Sequence, residues 1–412
     1  MVAVAEKGES CPAGVPHWLR PGRRRHRVPV VVLVALGLLF PGYFLYWWLV
    51  GNGAIPRFLG GYAVFMSALC IVGALPFLWS ARYKVNVIDV LVGAFVAVMA
   101  IFALLGIAIG APRDVSNSYV AYVLQWSAMF LVFRGVRHLD MRCAVFLTAS
   151  FFVMLFSLGG FLSTGMLLFE DSPISAEVFP TYQAFAVHFV VCASLMVASI
   201  RSTVVRLVAL LLSVAFLAVL GARSELVLFV VFAIVGEALR GGVVGASVFC
   251  SVMLFGLAIA ASFSEALEGN RILYWIDAWL DYGSLNTDAG RTALNQLGFD
   301  TIASHPLLGS YGYYSEGGYV HNVLSVWAEL GLVPFVWYCV TVGLAGWLLV
   351  RSRKRLTDRG LWAAVCGLYA GTFLVLLTTK SFGYQMVPVV LGFAAGFLND
   401  SARSVVPLPR RG

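Results

Sequence analysis

Charge is what this sequence has least of. Only 12% of the 412 residues are Asp, Glu, Lys or Arg, while 60% are hydrophobic and the mean hydropathy is +0.89. Soluble chains carry about 25% charged residues, so a water-soluble domain of this length is excluded and the chain belongs in a bilayer. Motifs of metal and redox chemistry are missing too: there is no CxxC pair and no His/Cys cluster of metal-ligand spacing. The seven cysteines, Cys11, Cys70, Cys143, Cys192, Cys250, Cys339 and Cys366, all fall in segments that hydropathy and charge assign to membrane or cytoplasm. A disulfide framework is therefore not expected. No glycine-rich turn follows a strand and opens a phosphate-binding helix, so a nucleotide fingerprint is absent.

What the sequence has is apolar runs. A bilayer span takes about 20 apolar residues, and roughly twelve apolar segments can be laid out, the fourth, eighth and twelfth of them short: 28–50, 58–80, 87–110, 118–133, 143–168, 179–200, 204–220, 225–239, 243–262, 321–350, 360–379 and 386–398. The expected fold is an all-α polytopic membrane protein of about twelve transmembrane helices. It divides into a basic N-terminal tail (1–27), helices one to nine (28–262), a long loop (263–320), helices ten to twelve (321–398) and a C-terminal tail (399–412). The apolar run after Arg27 is too long for a signal peptide and lacks a small-residue cleavage site, so it is expected to remain as the first helix.

Basic residues are retained on the cytoplasmic side. If the RRRHR cluster ending at Arg27 is cytoplasmic and the loops alternate, 22 of the 28 basic residues lie inside; only Arg57, Arg113, Arg223, Arg271, Arg291 and Lys380 lie outside. The net charge of +8 is thus a signal of topology, and nucleic acid is not an expected partner; the N-terminal cluster can touch anionic membrane lipid.

Isolated polar residues within the apolar runs have plain roles available. Asp89 can reach interfacial water or pair with Arg82 or Lys84, Glu237 has Arg240 at i+3, and His188 suits a neutral imidazole bonded to a neighbouring helix. Arg223, in the tight outer turn LGARSELV, needs a partner or a watery pocket, and Glu225 is the nearest candidate.

The loop 263–320 is too long to be a plain connection. RILYWIDAWLDY (271–282) reads as an amphipathic helix on the outer leaflet, with its tryptophans at headgroup depth. Asp288 can cap a second helix of about fifteen residues that carries Arg291 in its first turn, sets Leu294, Leu297 and Ile302 on one face, and stops at His305-Pro306. GSYGYYSEGGY then sets four tyrosines, Tyr319 the last, among glycines and serines, a composition able to wrap a sugar. His321-Asn322 opens helix ten, with Glu329 a little over two turns deeper on roughly the same face. The turn TTKSFGYQ exposes Lys380.

The outer side carries twelve acidic against six basic residues, so Arg223 and Arg291 make sense as local donors rather than as a general attraction. A guanidinium fork matches a phosphate or diphosphate, and a histidine is suited to take a proton near neutral pH. Together they suggest a transfer in which Arg223 and Arg291 hold a diphosphate leaving group. His321 then takes the proton of an attacking sugar hydroxyl, with inversion at the anomeric carbon and no metal ion or other cofactor required.

In their order, GARSELVLFVV, the GR that opens a loop helix, HPLLGSYG, and HN followed by ELG on the next helix resemble the O-antigen ligase and O-antigen polymerase superfamily. The resemblance covers about 220–335. It implies a metal-independent, GT-C-like glycosyltransferase of the bacterial inner membrane, active on the periplasmic face. Its donor would be a glycan on undecaprenyl diphosphate and its acceptor either lipid A-core or a second lipid-linked repeat unit. Arg223 and Arg291 match the diphosphate-binding arginines and His321 the catalytic residue; Tyr319, Asn322, Glu329 and Lys380 are candidates to support them. Only 30 residues separate Arg291 from His321, fewer than in a typical ligase, which leaves the acceptor open. A transporter of the same lipid-linked glycans is the alternative from another class, opposed by the near absence of charge at the bilayer midplane.

Overall fold

The computed structural model describes residues 28–56, 61–78, 84–163, 182–220, 222–262, 288–312, 320, 322–353 and 358–403. Every regular element among them is an α-helix. In chain order these are α1 (Val30–Leu39), α2 (Pro41–Gly51), α3 (Tyr62–Leu78), α4 (Val87–Ala108), α5 (Arg113–Gly135), α6 (Met141–Ser163), α7 (Tyr182–Ser199) and α8 (Thr203–Val219). There follow α9 (Arg223–Ser262), α10 (Asp288–Ser304), α11 (Ser325–Leu330), α12 (Leu332–Ser352), α13 (Arg359–Thr378) and α14 (Met386–Arg403). Five stretches are long and apolar enough to cross a membrane: Val30–Val50, Val87–Ala108, Arg223–Leu254, Leu332–Ser352 and Arg359–Thr378. The chain is thus an α-helical, multi-pass membrane protein. The expected tails and the amphipathic helix at 271–282 lie outside the described residues.

Breaks in the helices have local causes. Pro41 restarts the chain after Phe40, separating α1 from α2. Gly242, at φ 69° and ψ −166°, interrupts α9 where the sequence places the junction between its eighth and ninth apolar segments.

Glycine sets the closest helix contacts. A Cβ on Gly367 or Gly371 of α13 would lie 2.5 Å from the carbonyl oxygens of Phe232 and Leu228 on α9, and one on Gly392 of α14 would lie 2.6 Å from that of Phe130 on α5. Helices in lipid gain stability from close packing rather than from burial away from water, so such small-residue seams hold the bundle together. They bring α9, α13, α14 and α5 into one core.

Two buried ion pairs close one end of the bundle. Arg134 clasps Asp89 through Nε and through Nη2, which is 2.7 Å from Oδ2, and Nη2 also donates to the Lys84 carbonyl at 2.8 Å. Asp89 therefore takes a partner from α5, across the helix interface, while Arg82 lies outside the described residues. Arg206 of α8 grips Glu237 of α9 bidentately at 2.6 and 2.8 Å, while Arg240 donates to the carbonyls of Val197, Ala198 and Gly360. The i+3 pairing of Glu237 with Arg240 gives way because Arg206 offers a planar fork from across the interface. His188 is buried, bonds the Ala184 carbonyl of its own helix at 2.6 Å, and stacks on Tyr43 with ring centroids 4.2 Å apart. Its link to the neighbouring helix is a ring contact, a structural role.

Candidate functional site

At the opposite end, the turn between α13 and α14 folds back into the bundle. The backbone N–H groups of Thr379 and Lys380 both donate to the Val375 carbonyl, at 2.8 and 3.0 Å, which ends α13 and turns Lys380 inward. Expected to be exposed, Lys380 is only 7% exposed. Its Nζ lies 2.9 Å from Glu225 Oε1, donates to Gln183 Oε1 at 3.1 Å, and stands 5.3 Å from the centre of the Tyr384 ring. A buried ammonium keeps its charge only with such partners. Glu225 is 1% exposed and sits in the first turn of α9, where the helix dipole favours a carboxylate. Burial, and the Glu225 carboxylate after it, push the Tyr384 phenol well above its usual range.

Arg223 opens α9 and is exposed. Residues two apart on a helix do not face each other. Glu225 accordingly turns into the bundle toward Lys380, while Arg223 stays at the mouth.

The turn carrying Lys380 is stitched to the segment after His321. Phe382 N–H donates to Ser325 Oγ at 3.1 Å. Asn322 Oδ1 accepts from Leu324 N–H at 2.8 Å and its carbonyl accepts from Ser325 N–H at 3.1 Å, so Asn322 shapes a turn that launches α11. The tenth apolar segment thus becomes helical at Ser325 rather than at 321, and it breaks at Gly331, whose φ of 89° an L side chain rarely adopts. Residues 322–324 are not helical, and the two-turn relation expected between His321 and Glu329 involves a residue outside those described. Glu329 is fully buried and accepts from Tyr119 OH at 2.6 Å, which ties α11 to α5.

HPLLGSYG docks on the same segment. Ser310 N–H donates to the Ala328 carbonyl at 2.8 Å, Trp327 Nε1 to that of Pro306 at 2.7 Å, and Leu332 N–H to that of Leu307 at 3.2 Å. The Tyr311 ring packs 4.7 Å from that of Tyr119, centroid to centroid. Burial raises the Tyr311 phenol and the nearby Glu329 carboxylate raises it further.

The loop helix forms as the sequence indicates: α10 starts at Asp288, carries Arg291 in its first turn and ends before His305-Pro306. Its inward face differs in one position. Leu294 and Ile302 are half-buried, but Leu297 is 43% exposed and Gly298 is buried in its place. A Cβ at 298 would lie 2.1 Å from Val320 Cγ2, so the bare glycine is what lets Val320, itself 3% exposed, sit against α10. Arg291 and Gly298 are seven residues apart, two turns along one face. Val320 immediately precedes His321, so the helix that bears Arg291 is packed on the segment that delivers the histidine. His321 and Tyr319 lie outside the described residues, as does the side chain of Arg291.

One end of the bundle thus brings together Arg223, Lys380, Asn322, Glu329, the helix of Arg291 and the residue before His321. Gln183, Tyr119 and Tyr384 join them without having been legible in the sequence, since nothing near them in the chain marks them. No protein-family model and no curated protein matches this chain.

Proposed function

We propose that the chain is an O-antigen ligase-like glycosyltransferase. It transfers a glycan from undecaprenyl diphosphate to a hydroxyl of lipid A-core at the periplasmic face of the bacterial inner membrane. The observation that carries this reading is the seat of Val320 on Gly298. That contact couples the helix of Arg291 to the residue before His321, at the end of the bundle where α9 presents Arg223.

In this reading the fold is GT-C-like, with twelve spans and both termini cytoplasmic. Its helices coincide with the twelve apolar segments when the loop helix α10 is set aside, α1 with α2, and α11 with α12, count as one each and α9 is divided at Gly242. The contacts among helix ends support that alternation. Asp89 with Arg134 and Arg206 with Glu237 join ends on one side, while Lys380 with Glu225 and Gln183 joins ends on the other. These buried charges lie at the ends of the bundle, whereas a transporter concentrates polar groups at the midplane.

The chemistry is an in-line displacement. Arg223 and Arg291 hold the diphosphate and neutralise the charge that grows on it as the anomeric C–O bond breaks. His321 takes the proton of the acceptor hydroxyl as the new C–O bond forms on the opposite face, so the configuration inverts. The test is transfer by the purified protein in lipid nanodiscs containing EDTA, supplied with the lipid-linked glycan and with lipid A-core. An inverted product is expected. A product only when a second lipid-linked repeat replaces lipid A-core would make the protein a polymerase, and no transfer to either acceptor would overturn the reading.

A further inference from the structure

We infer that the Leu307–Leu308 turn is seated in the acyl chains of the outer leaflet, so that the loop bearing the candidate site is anchored on lipid. Leu307 is 66% exposed and Leu308 81%, the more exposed of the two being among the most exposed large apolar side chains described. Two adjacent leucines this bare need a reason in an extramembrane loop.

Their place in the fold supplies it. The Leu307 carbonyl accepts from Leu332 N–H, the first residue of α12, and a Cβ on Gly331 would lie 2.2 Å from that same oxygen and 2.7 Å from the Leu308 carbonyl carbon. The turn therefore rests directly on the tip of a helix long and apolar enough to span a membrane.

The depth of that tip follows from the other end of the helix. Arg351 lies over the Trp347 ring at 5.0 Å in the last turn of α12, a pairing suited to the headgroup boundary. Twenty-one residues at about 1.5 Å each cover about 31 Å, close to the hydrocarbon thickness of about 30 Å. With Arg351 at one boundary, Leu332 reaches the other. The leucines are then level with the edge of the hydrocarbon, not out in water.

Their surface is also continuous with the lipid-facing side of α12. Val333, Val336, Trp337 and Val340 recur at helical spacing and are 71%, 50%, 38% and 53% exposed. Trp327 stacks on Phe335 with centroids 5.2 Å apart and bonds the Pro306 carbonyl through Nε1, which places an indole where its ring is apolar and its N–H polar, as at membrane interfaces. Leu307 and Leu308 extend this stripe upward by one turn of loop. The depth of the turn needs only the membrane-spanning character of α12, the outer leaflet rests on the proposed topology, and both stand apart from the proposed reaction.

Depth-dependent quenching tests it. A fluorescent amino acid is encoded at Leu308 in the full chain in phosphatidylcholine nanodiscs, with a second variant at Gln296, an exposed polar position on α10. Expected at 308 is loss of emission when the lipids carry bromine on their acyl chains, with little effect from aqueous iodide, and the reverse at 296. Iodide quenching at 308 equal to that at 296 would put the turn in water and overturn the inference. Quenching at 308 by neither agent would mean that protein, such as a second copy, covers the leucines, and would overturn it equally.

Discussion

Lys380 Nζ lies 2.9 Å from Glu225 Oε1, and both side chains are more than nine-tenths buried at the mouth of the bundle. The pair joins the turn after α13 to the start of α9, and Gln183 adds the start of α7. Removing one partner of a buried pair leaves the other charge uncompensated, which costs about 3–5 kcal/mol, whereas replacing both by apolar groups is close to neutral. Lys380→Met is therefore expected to lower the thermal unfolding temperature in detergent markedly, and Lys380→Met with Glu225→Leu to recover most of the loss. A double variant as unstable as the single one would show that the pair does more than compensate two charges.

The pair of Arg206 and Glu237 at the opposite end of the bundle makes a sharper geometric demand. Its two bonds, 2.6 and 2.8 Å, use two nitrogens of one guanidinium. An ammonium cannot reproduce that fork. Arg206→Lys should unfold at a temperature well below wild type in spite of its conserved charge, and equal unfolding temperatures would count against the bidentate clasp.

Gly298 is expected to matter through Val320 alone. Gly298→Ala sets a methyl group where Val320 Cγ2 now lies, 2.1 Å from it, and should displace the segment that leads to His321. Activity in the glycan transfer assay should fall at least about tenfold, which corresponds to only about 1.4 kcal/mol in the barrier. Adding Val320→Ala, which removes both γ carbons, should restore much of it. Loss without rescue would mean that the glycine serves something other than this contact.

The all-helical, membrane-spanning character was legible in the sequence because a long apolar segment carries its own evidence: a run of residues of one character, bounded by charge. Even the junction near Gly242 and the stop at His305-Pro306 could be read locally. Partners across the bundle could not. Asp89 meets Arg134 across 45 positions and Lys380 meets Glu225 across 155, and in each case a nearer residue of opposite charge looked sufficient. Glu225 and Arg223 are two apart in the chain, a spacing that on a helix sends them to different faces. The tenth apolar segment becomes helical only at Ser325 for a related reason. His321 and Asn322 precede an apolar run, but the Asn322 side chain bonds the backbone of Leu324 and delays the helix to Ser325. Arg223, Arg291 and His321 stood out by chemical type on a face short of positive charge, and Gly298, which links two of their segments, carried no such mark.

The most direct test of the central claim is complementation of a strain lacking this protein with wild type, Arg223→Ala, Arg291→Ala or His321→Ala, each checked for membrane expression before surface glycans are resolved on a gel. The account predicts that all three variants are expressed and that none restores the wild-type pattern, the deficient strain showing undecorated core together with long lipid-linked polymer. A well-expressed variant that restores the wild-type pattern would remove its residue from the site, and restoration by His321→Ala would contradict the proposed mechanism.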